Sequence, residues 1–351
     1  MKLGNIKLLF IHSNQPEDYL VDTLFHGLRE LLGHNCVDIP RYDGMYKPLT
    51  PGIKAKLRGN GFTIYGLLEE SPELAEKRFF WRKDLEQYDL IIIAHLREQW
   101  QLVWELAGKV EPEKIVIIDG YDTPAFFPYV SLGWRLKSCP WTYFTPLSQS
   151  KYFKRELISE GACYSLDRFL PRPLRQWIPL PKNAYPISFS LPQEKIWRGD
   201  NAEKMKDFPT HIVDKEVASK VQQSFFSATG SDKYIFTSET EYYQDLRKSR
   251  FGITTKRAGW DCLRHYELAA NGCVLCFKDL DFKPPTCAPQ GLDESNCIIY
   301  HNYDELKAKI AALSDNDYKR LQKASYQWIE NNTTLVRAQE FLKTCLPNKK
   351  I

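Results

Sequence analysis

The strongest constraint on this chain is a series of short, wholly apolar runs separated by helix-length segments. Leu90–Ala94 reads LIIIA, Ile115–Ile118 reads IVII and Cys273–Phe277 reads CVLCF. A strand with no polar side must be covered on both faces, and helices between such strands supply the cover. That pattern predicts parallel sheets in α/β units. In the first half, strands are expected at Ile6–His12, Cys36–Ile39, Tyr88–Ala94 and Lys114–Ile118. Helices are expected at Asp18–Leu32, closed by Gly33, and at Gln99–Leu106.

Between about Pro146 and Pro192 prolines accumulate, at Pro171, Pro173, Pro179, Pro181, Pro186 and Pro192. This suits an extended connector and places a boundary near 185. Alternation then resumes, with helices expected at Val213–Phe226, Glu241–Ser249 and Cys262–Asn271. Strands are expected at Tyr234–Thr237, Phe251–Thr255, Cys273–Phe277 and Cys297–His301. Three helices follow, near 303–313, 315–331 and 334–346. The expected organisation is one parallel α/β domain over 1–185, with its connector from about 146, and a second over 186–333. The last segment, 334–351, is a helix placed to return to the first domain. Two such domains face their strand carboxyl ends into a cleft, where ligands of open α/β sheets bind.

Composition excludes some classes. The chain has 351 residues, 43% of them apolar, with 48 Lys and Arg against 44 Asp and Glu. A net charge of +4 is too small and too dispersed for a duplex-DNA binder. The apolar run Ile6–Ile11 is too short for a signal-peptide core or a membrane span, so a cytoplasmic location is expected. Nine scattered cysteines are no disulfide framework, and Cys273 and Cys276 read as buried strand.

The window Ser249–Phe277 carries the chemistry. A strand to Thr255 leads into a loop with Lys256, Arg257, Gly259 and Trp260, and a helix begins near Asp261. Helix-terminal N–H groups beside two fixed cations suit a diphosphate. A solvated basic loop is the plainer alternative. Arg264 and Glu267, three residues apart, share a helix face. They form either an intrahelical ion pair or a phosphate-facing guanidinium beside a carboxylate that takes ribose hydroxyls.

The run Leu246–Cys276 resembles the donor-binding half of GT-B glycosyltransferases, in particular the exostosin-like and bacterial exopolysaccharide branch. Ser249-Arg250-Phe251, Arg257 to Gly259, and the spaced group Arg264, Glu267, Ala270, Gly272, Cys273 match that branch's S-K-F, R-G and R-x-x-E-x-x-A-x-G-C pattern. Ser150–Leu157 and Trp177–Pro181 are similar to the interdomain segment of bacterial members, among them glucosyltransferases of cyanobacterial heterocyst envelope polysaccharide. The resemblance implies a nucleotide-sugar-dependent transferase with two Rossmann-like domains. A sugar, glucose from UDP-glucose first, would pass to a hydroxyl of a polysaccharide or lipid-linked oligosaccharide, without cofactor or metal. Retaining members often carry a second glutamate, but Gly259 stands eight residues before Glu267.

The first domain should supply the acceptor side. His95 ends one strand and Asp119 another, with Asp122 close behind; Asp119 and Asp122 are ranked as general base ahead of His12 and Asp18. Asp279-Leu280-Asp281 spells a metal-binding DxD but falls after the donor strand, and Gly59-Asn60-Gly61 does not follow a strand; both are discounted. The basic–aromatic stretches Lys77–Lys83 and Arg168–Trp177 would rest on anionic lipid or, the favoured alternative, form partly buried loops. A non-catalytic nucleotide-sugar-binding partner subunit is the competing functional class.

Overall fold

The computed structural model describes residues 6–13, 18–127, 129–132, 135–138, 149–158, 171, 182–199, 204–221, 224–225 and 235–349. In the first half, β1 (Leu8–Ile11), β2 (Cys36–Ile39), β3 (Leu90–Ile93) and β4 (Ile115–Asp119) lie where the apolar runs placed them. They are joined by α1 (Tyr19–Leu32), α2 (Pro51–Lys54), α3 (Pro72–Phe80) and α4 (Leu96–Ala107). A small antiparallel hairpin, β5 (Tyr129–Leu132) and β6 (Arg135–Ser138), follows β4.

The expected connector is partly sheet. β7 (Lys151–Lys154) and β8 (Ala184–Pro186) extend a six-stranded parallel sheet of order β2-β1-β3-β4-β7-β8. The reason lies in β7 itself, KYFK. Tyr152 and Phe153 are buried in clusters on opposite faces of the sheet, and Lys154 is buried because register sets it beside Asp119. Residues 159–170 and 172–181, including Trp177 and Pro173, Pro179 and Pro181, lie outside the described residues.

The second half holds β9 (His211–Ile212), α5 (Lys215–Lys220), β10 (Ser224–Phe225), α6 (Glu239–Arg247), β11 (Phe251–Thr255), α7 (Leu263–Ala270), β12 (Val274–Lys278) and β13 (Cys297–Tyr300). β11-β12-β13 form one parallel sheet, and β9 pairs with β10 in parallel beside it. The helix expected over 213–226 is therefore short, capped by the Asp214 carboxylate on Glu216 and Val217 N–H, and a strand follows it. Tyr234 lies outside the described residues, and Ile235–Thr237, expected as strand, is irregular.

The chain ends with α8 (Tyr303–Ala311), α9 (Asp315–Glu330) and α10 (Thr334–Cys345). α10 crosses back onto α1: His26 Nδ1 meets Thr334 Oγ1 at 3.0 Å, and Phe341 packs on Phe153 with ring centroids 4.7 Å apart. Gly27 makes the approach feasible, since a Cβ there would strike the Thr334 carbonyl. One hydrophobic cluster runs from Ile6 through Leu246 and Tyr266 to Cys345, so both sheets share a core.

The stretch Lys77–Lys83, expected as a partly buried loop, is the end of α3 followed by a turn, and it is partly buried. Arg78 turns inward onto buried Asp38 at 2.6 Å, Trp81 is buried, and Phe79 is 79% exposed. Arg168–Trp177 lies, apart from Pro171, outside the described residues. Among the described residues no helix is long and apolar enough to cross a membrane.

Candidate functional site

All strands of the first sheet run in parallel, so His12, His95, Asp119 and Arg155 emerge at one edge. The β11–α7 loop emerges at the equivalent edge of the second sheet. The two edges meet at Gly259. A Cβ on Gly259 would collide with the Glu156 carboxylate and lie 2.9 Å from both Arg155 Nη1 and Asp122 Oδ1. Glycine is needed there for close approach.

Arg155, 2% exposed, fastens this junction. Its Nε donates to the Gly120 carbonyl at 3.2 Å and its Nη1 to the Asp261 carbonyl at 2.8 Å, while its Nη2 pairs with Asp122. Beside it, the Trp260 N–H donates to Glu156 Oε1 at 2.9 Å, so the loop's amide already holds an anionic group. Lys256 is exposed, with its ammonium 4.9 Å from the Trp260 ring centroid.

The helix starts at Leu263, one residue inside the expected span Cys262–Asn271, and Cys262 makes no side-chain cap. Asp261 is fully buried upstream and accepts from Phe189 N–H at 2.7 Å, Cys262 N–H at 3.1 Å and the Tyr266 hydroxyl at 3.0 Å. Burial pushes its carboxyl up to about 6. Arg257 and Arg264 surround His211 of β9, which burial first and these guanidinium groups second press down to about 4.

Glu267 is 5% exposed and does not depend on an intrahelical ion pair. Its Oε1 accepts the Thr63 hydroxyl at 2.5 Å and its Oε2 the Tyr242 hydroxyl at 2.7 Å. Thr63 belongs to the first half, on a strap whose Gly59, Asn60, Gly61 and Thr63 all take positive φ (56°, 56°, 66° and 75°). The strap is moored by Thr63 N–H on Glu239 at 2.5 Å and by the Asn60 side chain on the Phe236 carbonyl at 3.1 Å. Strap, Arg155 and Glu156 are the parts that sequence reasoning misses; Gly59-Asn60-Gly61, discounted because it follows no strand, is the available signal.

On the acceptor side, Asp119, expected as a general base, is enclosed. Its Oδ2 takes the Tyr152 hydroxyl at 2.5 Å and the Lys154 ammonium at 2.9 Å, its Oδ1 the Tyr121 N–H at 3.1 Å, and both charged side chains are fully buried. A carboxylate so enclosed anchors β4 to β7. Asp122 is half exposed, on Arg155. His95 caps α4 in a left-handed conformation (φ 51°), and its Nδ1 accepts the Ser13 N–H at 3.1 Å. His12 directs Nδ1 to the Ser13 carbonyl at 2.9 Å and lies on Tyr42 at 4.5 Å. The Nε2 atoms of both histidines are buried without a hydrogen-bond partner, and burial lowers both imidazoles below the usual range. Asp18, which caps α1, lies against Gly120 at the same edge.

Asp279 and Asp281 are partly exposed and engage His301, at 2.8 and 3.7 Å. Among the described residues no group of three or more His, Cys, Asp or Glu is placed to hold a metal ion. Cys273 and Cys276 are buried in and beside β12.

His265 offers a pH signature for this region. It is fully buried between the Thr254 hydroxyl (2.6 Å to Nδ1) and the Trp260 carbonyl (3.0 Å from Nε2), which fixes a neutral Nε2–H tautomer; burial lowers it to about 4. Such a base contributes stability that is complete above pH 6.5 and is lost as the pH falls through 4, amounting to about 3 kcal/mol. Urea unfolding of wild type and His265→Gln at pH 7, 6, 5 and 4 should show the variant's loss shrinking on acidification. Parallel pH profiles would contradict this reading. Asp261, raised to about 6, acts in the opposite sense: its contribution is complete below pH 3.8 and is lost by about 6.

No family model matches this chain, and no curated protein matches it. Solved structures do. A glycosyltransferase from Rickettsia africae superimposes with TM-score 0.53 at 10% identity, covering 98% of this chain and 100% of that one. The fold is GT-B. An E. coli structure described as trehalose-6-phosphate bound with UDP-2-fluoro glucose gives TM-score 0.48 at 14% identity, covering 97% and 98%. Anabaena HepE in complex with UDP gives 0.46 at 10%, covering 97% and 99%. At these identities the likeness speaks to the GT-B fold alone.

Proposed function

We propose that this GT-B protein is a nucleotide-sugar-dependent glycosyltransferase, with an acceptor-side domain over 1–185, a donor domain over 186–333 and a bracing helix over 334–351. One observation carries the reading: Glu267 accepts two hydroxyls, one on each carboxylate oxygen, which is the pattern a ribose diol presents. Around it, Arg257, Lys256 and Arg264 supply charge for a diphosphate, Trp260 its backbone N–H, and Gly259 the room for close approach. Positive charge there stabilises the departing nucleoside diphosphate, the work a metal ion does in other enzymes.

In the structure, groups from outside the second sheet occupy these positions: Thr63 sits on Glu267 and Glu156 on Trp260. Donor binding therefore displaces the strap and Glu156, and the edges separate to admit the nucleotide. On the acceptor side, the unpartnered Nε2 of His12, whose Nδ1–H faces the Ser13 carbonyl, takes over the base role expected of Asp119, while the Nε2–H of His95 is a hydrogen-bond donor, with Asp122 at the same edge. UDP-glucose is the first donor to try, and a glycan or lipid-linked hydroxyl the acceptor. The exopolysaccharide branch is favoured by the Arg264-to-Cys273 spacing.

UDP should raise the melting temperature in proportion to the logarithm of its concentration above Kd. Arg257→Ala should weaken it by about 10- to 100-fold, the worth of a charge-assisted hydrogen bond. UDP released from UDP-glucose separates an enzyme from the alternative, a partner subunit that binds without turnover. Absence of stabilisation by any nucleoside diphosphate would sink both readings.

A further inference from the structure

α4 leaves the carboxyl edge of the first sheet at His95 and packs on β3 and β4 through Leu96, Val103 and Leu106, none more than 2% exposed. Its outer face carries Trp100 and Trp104, 44% and 49% exposed. Four residues apart, the two indoles share one helix face and stand about 6 Å from each other along the axis. One exposed aromatic side chain needs no explanation. Two tryptophans repeated at helical spacing, on the face turned from the core, form a patch that folding does not require.

Hydrogen-bonding groups border the pair. Gln101, exposed, lies on the same side of the helix. Glu105, next to Trp104, accepts Lys109 at 2.9 Å and Arg82 at 3.4 Å, and all three side chains are at least a third exposed. Indole faces bordered by an amide and a carboxylate suit a ligand that is apolar on its ring faces and hydroxylated round its rim. A pyranose with equatorial hydroxyls has that shape. With Arg82 and Lys109 already engaged by Glu105, and Glu98 exposed on the same helix, the border matches a neutral sugar better than an acidic one.

Position adds a direction. Trp100 and Trp104 lie about 8 and 14 Å along the axis from His95, at a separation close to the repeat of successive units in an extended glycan. A chain laid over both indoles therefore leads toward the edge where His12 and His95 emerge.

We propose that this face of α4 binds an extended neutral glycan, a run of gluco-configured pyranose units. The glycosyltransferase reading makes that glycan the body of a polymeric acceptor, and this last step alone rests on it. Calorimetric titration of the full chain with cellohexaose, laminarihexaose, maltohexaose and glucose, without donor, tests the face. At least one hexasaccharide should bind saturably and at least about tenfold tighter than glucose, because two linked units engage two indoles. Trp100→Ala/Trp104→Ala, at exposed positions, should weaken that binding by about tenfold, with the melting temperature unchanged. Failure of all three hexasaccharides to bind, glucose binding as tightly, or undiminished binding in the double variant would each overturn the site. Co-sedimentation with phosphatidylglycerol vesicles that the double variant loses would assign the face to a membrane and overturn it too. The UDP-induced rise in melting temperature is read separately: its absence sinks the donor site, whereas hexasaccharide binding decides this one.

Discussion

Glu267→Gln is expected to weaken UDP binding by about 100-fold while the protein stays folded. The carboxylate has one acceptor oxygen for each of two hydroxyls, and charge-assisted hydrogen bonds contribute about 1.5–3 kcal/mol apiece. Loss of about 2.7 kcal/mol corresponds to that factor. Glutamine keeps the shape and one acceptor, so Thr63 and Tyr242 are not both orphaned in a buried site, as they would be in Glu267→Ala. Thr63→Ala should move affinity the other way, tightening UDP by about tenfold, because the strap's hydroxyl no longer competes for Oε1. Titration calorimetry on both variants checks the pair. If Glu267→Gln binds UDP as wild type does, the carboxylate is a strut between the two halves and no nucleotide ligand. If Thr63→Ala instead weakens UDP, the strap is part of the nucleotide pocket and does not obstruct it.

Much of this arrangement was legible from the chain, and the illegible parts share one cause. β3 and β4 announce themselves because both faces are covered, and α1 because its leucines recur at helical spacing before Gly33. Arg264 and Glu267 could be placed on one helix face from spacing alone. The partners could not: Thr63 reaches Glu267 across 204 residues, and Glu156 reaches Trp260 across 104. β7 was hidden because two lysines flank its aromatics, and burial of Lys154 makes sense only once Asp119 lies opposite in register. β8 is three residues ending in Pro186, tolerable at a sheet edge, where a missing N–H costs no ladder bond. The enclosure of Asp119 was hidden for the same reason. A carboxylate at a strand's carboxyl end faces a cleft by default, until a neighbouring strand brings a cation to it.

That cation makes Asp119→Asn the second large effect, and it should fall on stability. Lys154 and Asp119 are both fully buried and 2.9 Å apart, with the Tyr152 hydroxyl on the same oxygen. Neutralising one partner strands an ammonium in the sheet, at a cost of about 3–5 kcal/mol. For a chain of this size that lowers the melting temperature by roughly 4–7 °C. Asp119→Asn/Lys154→Met removes both charges and should recover most of the loss, because desolvation of the pair offsets much of its attraction. The kcat of the folded single variant should stay within a few-fold of wild type, since the carboxylate faces Tyr152 and Lys154 and not the cleft. Thermal denaturation and initial rates on the same preparations distinguish the two roles. An unchanged melting temperature with turnover lost would restore Asp119 as the base and demote His12. A destabilised but active variant would instead show that Asp119 is a strut between β4 and β7 and that the base lies elsewhere.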